Sequence, residues 1–351
     1  MIRIRGRVPR KALGLGLPLA WGAVAITYRM ACPLAQQTGF EARLLSSAVF
    51  FAIGTGLIAH ARRALLRELR QIRQIAGAAQ SALLRPLPPR IDGLDVAAAQ
   101  LSADRGASVG GDLYEVIATE HGVRAVMGDV RGHGLAAIAT AAAVLGSFRE
   151  AVHDEVELGC VLRRLERAHA RHLRERARAE HPSSGVEPEH PVAEEFVTLL
   201  LLEIRQDGAV YALNCGHPWP YLLSGPQVDP LTRADPLPPL GPFPLPSHLP
   251  AVPCGHLLPG ETLVLHTDGA EDARDAHGRF FSLPAALRKA AGQPPQALLG
   301  SVFTALLRHS GTPQDDIALL ILRNDRPPRR CSEARGTARP AAADPQPTTH
   351  L

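Results

Sequence analysis

Two uncharged, mostly apolar runs open the chain, at residues 12–28 and 44–59, with a polar turn around Pro33, Gln36, Gln37, Thr38 and Gly39 between them. A membrane-spanning helix needs about 20 apolar residues and rarely fewer than ~17, so each run must borrow flanking residues to reach both interfaces. Neither run carries a polar stripe and a basic block brackets the pair, which argues against two buried core helices of a soluble domain. The pattern changes over residues 62–84, where Leu65, Leu66, Leu69, Ile72, Ile75 and Ala79 recur at spacings of three and four. That periodicity predicts an amphipathic helix, and Pro86-Leu87-Pro88-Pro89 ends it.

From Ile91 onward the helical period gives way to short apolar runs broken by glycine turns. Residues 109–118 and 123–130, joined by Glu120-His121-Gly122, predict a β-hairpin. Asp112 stands near the start of its first strand and Asp129 near the end of its second, so antiparallel pairing brings the two carboxylates together. Gly111 and Gly128 directly precede them, where the missing side chain allows close approach of backbone, metal or phosphate. Arg131-Gly132-His133-Gly134 turns the chain into an alanine-rich helix over 135–152. A second helix is predicted over 158–176 and a polar loop over 180–191. His169 and His172 on that helix have a spacing able to bind metal, with no third ligand evident, and a charged helix face accounts for them better. Residues 230–253, dense in proline and leucine, predict an extended loop over the domain. Strand 262–266 runs into Thr267-Asp268-Gly269, and Asp315-Asp316 precedes the apolar strand 317–322. Residues 324–351 carry almost no large apolar groups and are predicted to be a disordered tail.

Composition narrows this picture. A chain of 351 residues with 46% hydrophobic and 21% charged side chains has enough apolar surface for a packed core and is not wholly disordered. Its 31 glycines and 31 prolines follow no period, which excludes a collagen-like fold. The net charge is +4, and all 38 basic side chains except Lys11 and Lys289 are arginine. The basic excess flanks the two apolar runs on their outer sides, at Arg3, Arg5, Arg7, Arg10 and Lys11 and again beyond Ala61. Such flanks face the cytoplasm, so the pattern predicts a two-helix membrane hairpin with both ends inside. A signal peptide also has a basic start and an apolar core, but the second apolar run and the basic segment after it argue against cleavage. No aromatic stacking platform accompanies the charge, so nucleic acid is not an expected partner. Five cysteines, none in a CxxC pair, argue against a disulfide framework or a structural zinc site built on them and fit a reducing compartment.

Four acidic positions thus occur where apolar strands meet loops. Oxygen-only donors of this kind suit Mg²⁺ or Mn²⁺ rather than zinc. Two such ions sharing a carboxylate can hold a phosphate and activate a water for in-line attack. The segments VGGDLYEV, MGDVRGHGLAAIATA, EEFVTLLLLEI, LNCGHPWPYLL, LPGETLVLHTDGAEDARDAHGRFF and PQDDIALLILR stand in a distinctive order. Together they resemble the PPM-type, protein phosphatase 2C-like serine/threonine phosphatases in their bacterial SpoIIE-type branch, over roughly residues 78–323.

The resemblance implies an α+β fold, an αββα sandwich of two antiparallel sheets flanked by helices, with metals in a cleft at one end. It implies a dimetal site in which Asp129 bridges two Mn²⁺ or Mg²⁺ ions. Asp112 and the Val130 backbone carbonyl would serve one ion, and Asp268 with Asp315 or Asp316 the other. A bridging hydroxide would then attack phosphoserine or phosphothreonine without a phosphoenzyme. Glu115 stands where the family often has Asp. His133 is a candidate general acid, although a second-sphere or solvent-facing role is the commoner one for such a residue. His217, in Asn214-Cys215-Gly216-His217-Pro218, corresponds to an architectural turn. Arg105 and Arg131 are weak candidates for holding phosphate. The domain organisation expected is a hairpin over 1–60, a connecting helix over 61–90 that is a candidate for pairing two copies of the chain, a phosphatase domain over 91–323, and a tail. The resemblance further implies a phosphorylated signalling protein as substrate, such as an anti-sigma-factor antagonist. The competing reading is a non-catalytic membrane-tethered scaffold with the same fold.

Overall fold

The computed structural model describes residues 21–22, 27, 40–101, 110–132, 134–180, 195–311 and 315–327. Most of the first apolar run, the polar turn after it, Arg105, His133, the loop at 181–194 and the terminal residues 328–351 lie outside the described residues.

Helix α1 runs unbroken over Phe40–Leu83, 44 residues that join the second apolar run to the amphipathic stretch. Nothing between them stops a helix: the basic residues from His60 to Arg67 are helix-compatible, and no proline occurs between Pro33 and Pro86. The window 48–67 is long and apolar enough to cross a membrane, and none of it is buried. Phe51 (77% exposed) and Ile58 (58%) project from it without cover. In the first apolar run, Trp21 donates Nε1–H to the Phe50 carbonyl at 3.4 Å, and its ring lies 5.4 Å from that of Phe50. Part of the first run therefore lies alongside α1.

Beyond the proline break come β1 (Arg90–Ile91), β2 (Leu94–Leu101), β3 (Leu113–Thr119), β4 (Gly122–Val130), α2 (Leu135–Asp154) and α3 (Leu158–Glu180). They are followed by β5 (Val197–Ile204), β6 (Ala209–Cys215), β7 (Tyr221–Ser224), β8 (Gln227–Pro230), β9 (Val252–His256) and β10 (Thr262–His266). The chain closes with α4 (Gly269–Asp272), α5 (Leu283–Ala290), α6 (Pro295–Ser310) and β11 (Ile317–Asn324). One sheet has the order β1-β2-β11-β10-β7-β8 and the other β3-β4-β5-β6-β9, with antiparallel pairing throughout both.

Strand β5 shows why the sheets stack. Its core is Leu199-Leu200-Leu201-Leu202, apolar at every position because both of its faces are covered. Leu200 and Leu202 join Val116, Met127, Leu263, Leu320 and Leu322 between the sheets. Leu199 and Leu201 point the other way, onto Val144, Leu145, Phe148, Leu162 and Leu165 of α2 and α3. On the far side, Val264, Leu319 and Ile321 pack on Leu287 of α5 and on Leu298, Val302 and Leu306 of α6. The result is the αββα sandwich expected from the resemblance. Helix α2 is also long and apolar enough to cross a membrane, but Val144, Leu145 and Phe148 on it are fully buried against the sheet. It is the core helix of this domain.

One charged pair sits inside this layer. Arg124, fully buried, lies opposite Glu203 and donates to its Oε2 from Nε (3.0 Å) and Nη2 (2.7 Å). Its other N–H groups reach the carbonyls of Val152 (3.0 Å), Glu155 (2.5 Å) and Val156 (2.6 Å), satisfying the end of α2.

Residues 324–327, which composition assigns to the tail, are held by the domain. Asn324 closes β11 and donates Nδ2–H to the Leu257 carbonyl at 2.7 Å. Arg326 reaches the carbonyls of Asp92 (3.0 Å) and Arg205 (2.7 Å). Guanidinium bonds to backbone order this stretch without any large apolar group, which is why hydrophobicity alone misplaces the boundary.

Candidate active site

Register builds the site. Leu113 pairs with Gly128 across the β3–β4 hairpin, so Asp112 and Asp129 emerge at the same end. Period-two alternation decides which way they face. Val116 and Met127 point between the sheets and Leu113 and Val130 toward the helices, which places Asp112 and Asp129 on the inter-sheet side. On the opposite sheet, β10 ends at His266 and delivers Thr267 and Asp268, while Asp315 and Asp316 enter β11 beside it.

Close backbone approaches draw these pieces together. A Cβ on Gly111 would lie 2.3 Å from the Val130 carbonyl oxygen, and one on Gly128 would lie 2.5 Å from that of Thr198. Two further glycines serve Asp316: a Cβ on Gly110 would meet its Oδ2 at 1.6 Å, and one on Gly269 its carbonyl oxygen at 2.2 Å. Thr267 crosses between the sheets. Its Oγ1 donates to Asp112 Oδ2 at 3.2 Å and accepts the Ala318 N–H at 2.9 Å. Asp268 Oδ1 accepts the Gly269 N–H at 2.9 Å at the start of α4.

The acids act on one another. Burial, then the charges of Asp129 and Asp316, push the Asp112 carboxyl well above the usual carboxylate range, against the Thr267 hydrogen bond. Burial and then Asp268, Asp315 and Asp316 raise Asp129 to about 7. Burial and Asp315 raise Asp268. Asp316, which is buried, thus bears on Asp112 and Asp129, and Asp315, which is exposed, on Asp268 and Asp129. A set of oxygen donors that raise one another's proton affinity fits a site for hard divalent cations, whose charge would relieve that repulsion. The side chains stand apart as they are: among the described residues no three acids, histidines or cysteines converge at metal-binding distance.

Other candidates are placed differently. Glu115 lies on the opposite face of β3 from Asp112 and turns to α2. There its Oε2 accepts from Arg149 Nε (2.9 Å) and Nη2 (2.5 Å), and Nη2 also donates to the Leu83 carbonyl at 2.8 Å. Arg131 lays its guanidinium 5.3 Å from the centre of the Phe196 ring. His217 is buried, with Nδ1 3.1 Å from Thr198 Oγ1, and Asn214 brackets it through its N–H and its carbonyl, both at 2.8 Å. Burial drives that imidazole down to about 3, so it is neutral and does not serve as a cation. Cys215 is buried, and its thiol is pushed up to about 12, far from a thiolate.

Sequence reasoning assigned no role to Thr267, Gly110 or Gly269. The first stood in view in the Thr267-Asp268-Gly269 turn, but only the approach of β3 to β10 shows its reach to Asp112.

A protein-family model described as Stage II sporulation protein E (SpoIIE) matches residues 119–325, more than half of the chain. Among solved structures, the SiaA-PP2C domain of Pseudomonas aeruginosa aligns over 76% of this chain and 99% of its own, at 19% identity and TM-score 0.53. The RsbU and RsbW domains of Rv1364c from Mycobacterium tuberculosis align over 68% of this chain and 63% of their own, at 22% identity and TM-score 0.52. The PP2C phosphatase domain with a fragment of the regulatory domain of SpoIIE from Bacillus subtilis aligns over 66% and 63%, at 17% identity and TM-score 0.50. This chain therefore spans less than two thirds of the last two structures. At these identities the likeness is one of fold.

Proposed function

The chain belongs to the SpoIIE family of PP2C-type serine/threonine phosphatases, and from that membership we propose that it removes phosphate from phosphoserine or phosphothreonine on a cytoplasmic signalling protein while tethered to the membrane. The observation that carries this reading is the gathering of Asp112, Asp129, Asp268, Asp315 and Asp316 at one end of the sandwich, where burial and the neighbouring charges raise Asp112, Asp129 and Asp268. An anti-sigma-factor antagonist is the class of substrate that the family resemblance favours.

Asp129 would hold both of two Mn²⁺ or Mg²⁺ ions, Asp112 and the Val130 carbonyl one of them, and Asp268 with Asp315 or Asp316 the other. Bound there, the ions supply Lewis-acid stabilisation of the phosphoryl oxygens and a water nucleophile activated near neutral pH. The chain's own task is to fix the donors: Thr267 orients Asp112, the α4 N-terminus orients Asp268, and the glycines hold the β3 and β11 approaches close. Asp112 and Asp316 are buried, whereas Asp268 and Asp315 are exposed, so the donor set opens to solvent on the side from which a phosphate would enter. His133 remains the candidate general acid toward the leaving alkoxide.

The test is hydrolysis of p-nitrophenyl phosphate and of a phosphoserine protein by the full chain. Activity requires Mn²⁺ or Mg²⁺ and disappears with chelator. Asp129→Asn lowers kcat/KM by about a thousandfold, the equivalent of ~4 kcal/mol of transition-state stabilisation. Activity that survives both treatments overturns the mechanism. If calorimetry finds no carboxylate-dependent Mn²⁺ binding, the scaffold reading takes its place.

The exposed apolar window of α1, with the first apolar run beside it, forms the anchor in this reading. The arginine-rich flanks hold both ends and the phosphatase domain in the cytoplasm. Recovery of the full chain in the soluble fraction after detergent-free lysis would remove the anchor. Leu65 and Leu66, exposed on α1, offer an apolar edge on which two copies of the helix can pair.

A further inference from the structure

Away from the acidic cluster, one group of ligating side chains has no part in the proposed reaction. His169 and His172 stand three apart on α3, on one face of the helix. His169 is 1% exposed and its Nε2 has no hydrogen-bond partner. The Nε2 of His172 is also buried and unpartnered. Glu195, two residues ahead of β5, lies within electrostatic reach of His169, as does His172. Arg176, one turn beyond His172, grips the Glu195 carboxylate in a fork, Nη1 donating to Oε2 at 2.7 Å and Nη2 to Oε1. The loop before β9 closes over the group. Leu240 bridges to Val197, and a Cβ on Gly241 would come within 3.1 Å of His169 Cε1 and 2.7 Å of the Glu195 carbonyl oxygen.

Buried imidazole nitrogens normally find a donor or an acceptor, and each one left without a partner calls for an explanation. Here two stand three residues apart on one helix, with the Glu195 carboxylate within electrostatic reach of the first. Two imidazoles and a carboxylate form a recognised zinc-binding set, and nitrogen donors select zinc, nickel or copper over magnesium. We propose that His169, His172 and Glu195 form a second metal site, for a borderline divalent ion with zinc foremost, chemically distinct from the all-oxygen acidic cluster. Burial and the neighbouring His172 hold His169 down to about 4, so its lone pair is free at neutral pH with no proton to displace. The three donors do not meet at binding distance as they stand, and Glu195 is paired with Arg176. An ion seated on the two imidazoles takes one carboxylate oxygen and leaves the other with Arg176, which then orients the ligand from outside. The ion would tie α3 to the start of β5, the segment whose Phe196 lies against Arg131 and whose Thr198 pairs with Asp129.

The test is calorimetric titration of the full chain in detergent with Zn²⁺, in excess Mg²⁺ so that the acidic cluster is occupied. One zinc-binding event is expected. Replacing a ligand outright should weaken it by more than the ~10-fold typical of losing an outer partner, in His169→Gln and His172→Gln alike. Asp129→Asn should leave it unchanged. If His169→Gln does not fold, His172→Gln, whose ring is half-buried, carries the test, with loss of the Co²⁺ d–d absorption band as a second readout. Zinc binding that persists in the folded histidine variants, or is lost in Asp129→Asn, overturns the site. So does a wild-type chain that takes up no zinc, since a buried water then satisfies the two rings.

Discussion

Gly111 leaves the Val130 carbonyl oxygen uncovered, and that oxygen is a proposed ligand. A methyl group there would press against it at 2.3 Å and against the Val130 nitrogen at 2.9 Å. Since backbone atoms cannot swing aside as a side chain does, Gly111→Ala should destabilise the domain by about 1–3 kcal/mol and weaken Mn²⁺ affinity in the same variant. Chemical denaturation and Mn²⁺ calorimetry read the two effects separately. Arg124 makes the opposite case, a residue fixed by a partner far away in sequence. Arg124→Ala leaves buried Glu203 with only the half-exposed Arg205 as a partner and three carbonyls of the α2 end without donors, so a loss of about 3–5 kcal/mol is expected in urea unfolding. Asp112 and Asp129 were legible as acids at the ends of a hairpin. Glu115 was not legible as the partner of Arg149, because its role depends on which helix covers the outer face of β3.

Among elements, α1 matters most for how the apolar N-terminal stretch is joined to the domain. Its apolar window and amphipathic stretch were each legible from period and charge, but their fusion into one helix was not, since a change of pattern does not require a break in backbone. Arg149 ties the end of that helix to the domain through the Leu83 carbonyl and Glu115. Arg149→Ala removes a charge-assisted bond to each and should cost about 1–3 kcal/mol. Hydrogen exchange should rise around residues 80–90 while β5 and β11 stay protected. If the whole sandwich loosened equally, Arg149 would be a general core contact rather than a tie for α1.

At the scale of the whole molecule, the acidic cluster stores repulsion that the rest of the sandwich holds in check. Asp129 rises from an ordinary 3.8 to about 7 in the folded chain. Between those values the folded state binds more protons than the unfolded one, so metal-free stability falls as pH rises through that window. The loss amounts to a few kcal/mol in order of magnitude. Thermal melts of the metal-free protein should therefore show a falling Tm from about pH 4 to pH 7. Mn²⁺ should flatten that slope, and Asp129→Asn should raise the metal-free Tm at neutral pH. A metal-free Tm that rises through the same window would contradict the clustered arrangement.

Local pattern alone decided the β3–β4 hairpin, helices α2 and α3, strands β10 and β11, the apolar N-terminal runs and the acids at strand ends, because period and turn chemistry are written within a few residues of one another. The order of six segments was enough to indicate the fold. Only tertiary packing decided that Thr267 reaches Asp112, that Glu115 turns away to Arg149, and that Asp315 and Asp316 share Asp129 while Asp316 alone bears on Asp112 and Asp315 alone on Asp268. It also brought Glu195 beside two histidines that in sequence had no third ligand. Each of these is a contact between strands or helices distant in sequence, set by register and by which face a neighbour covers, and neither is encoded in any single segment.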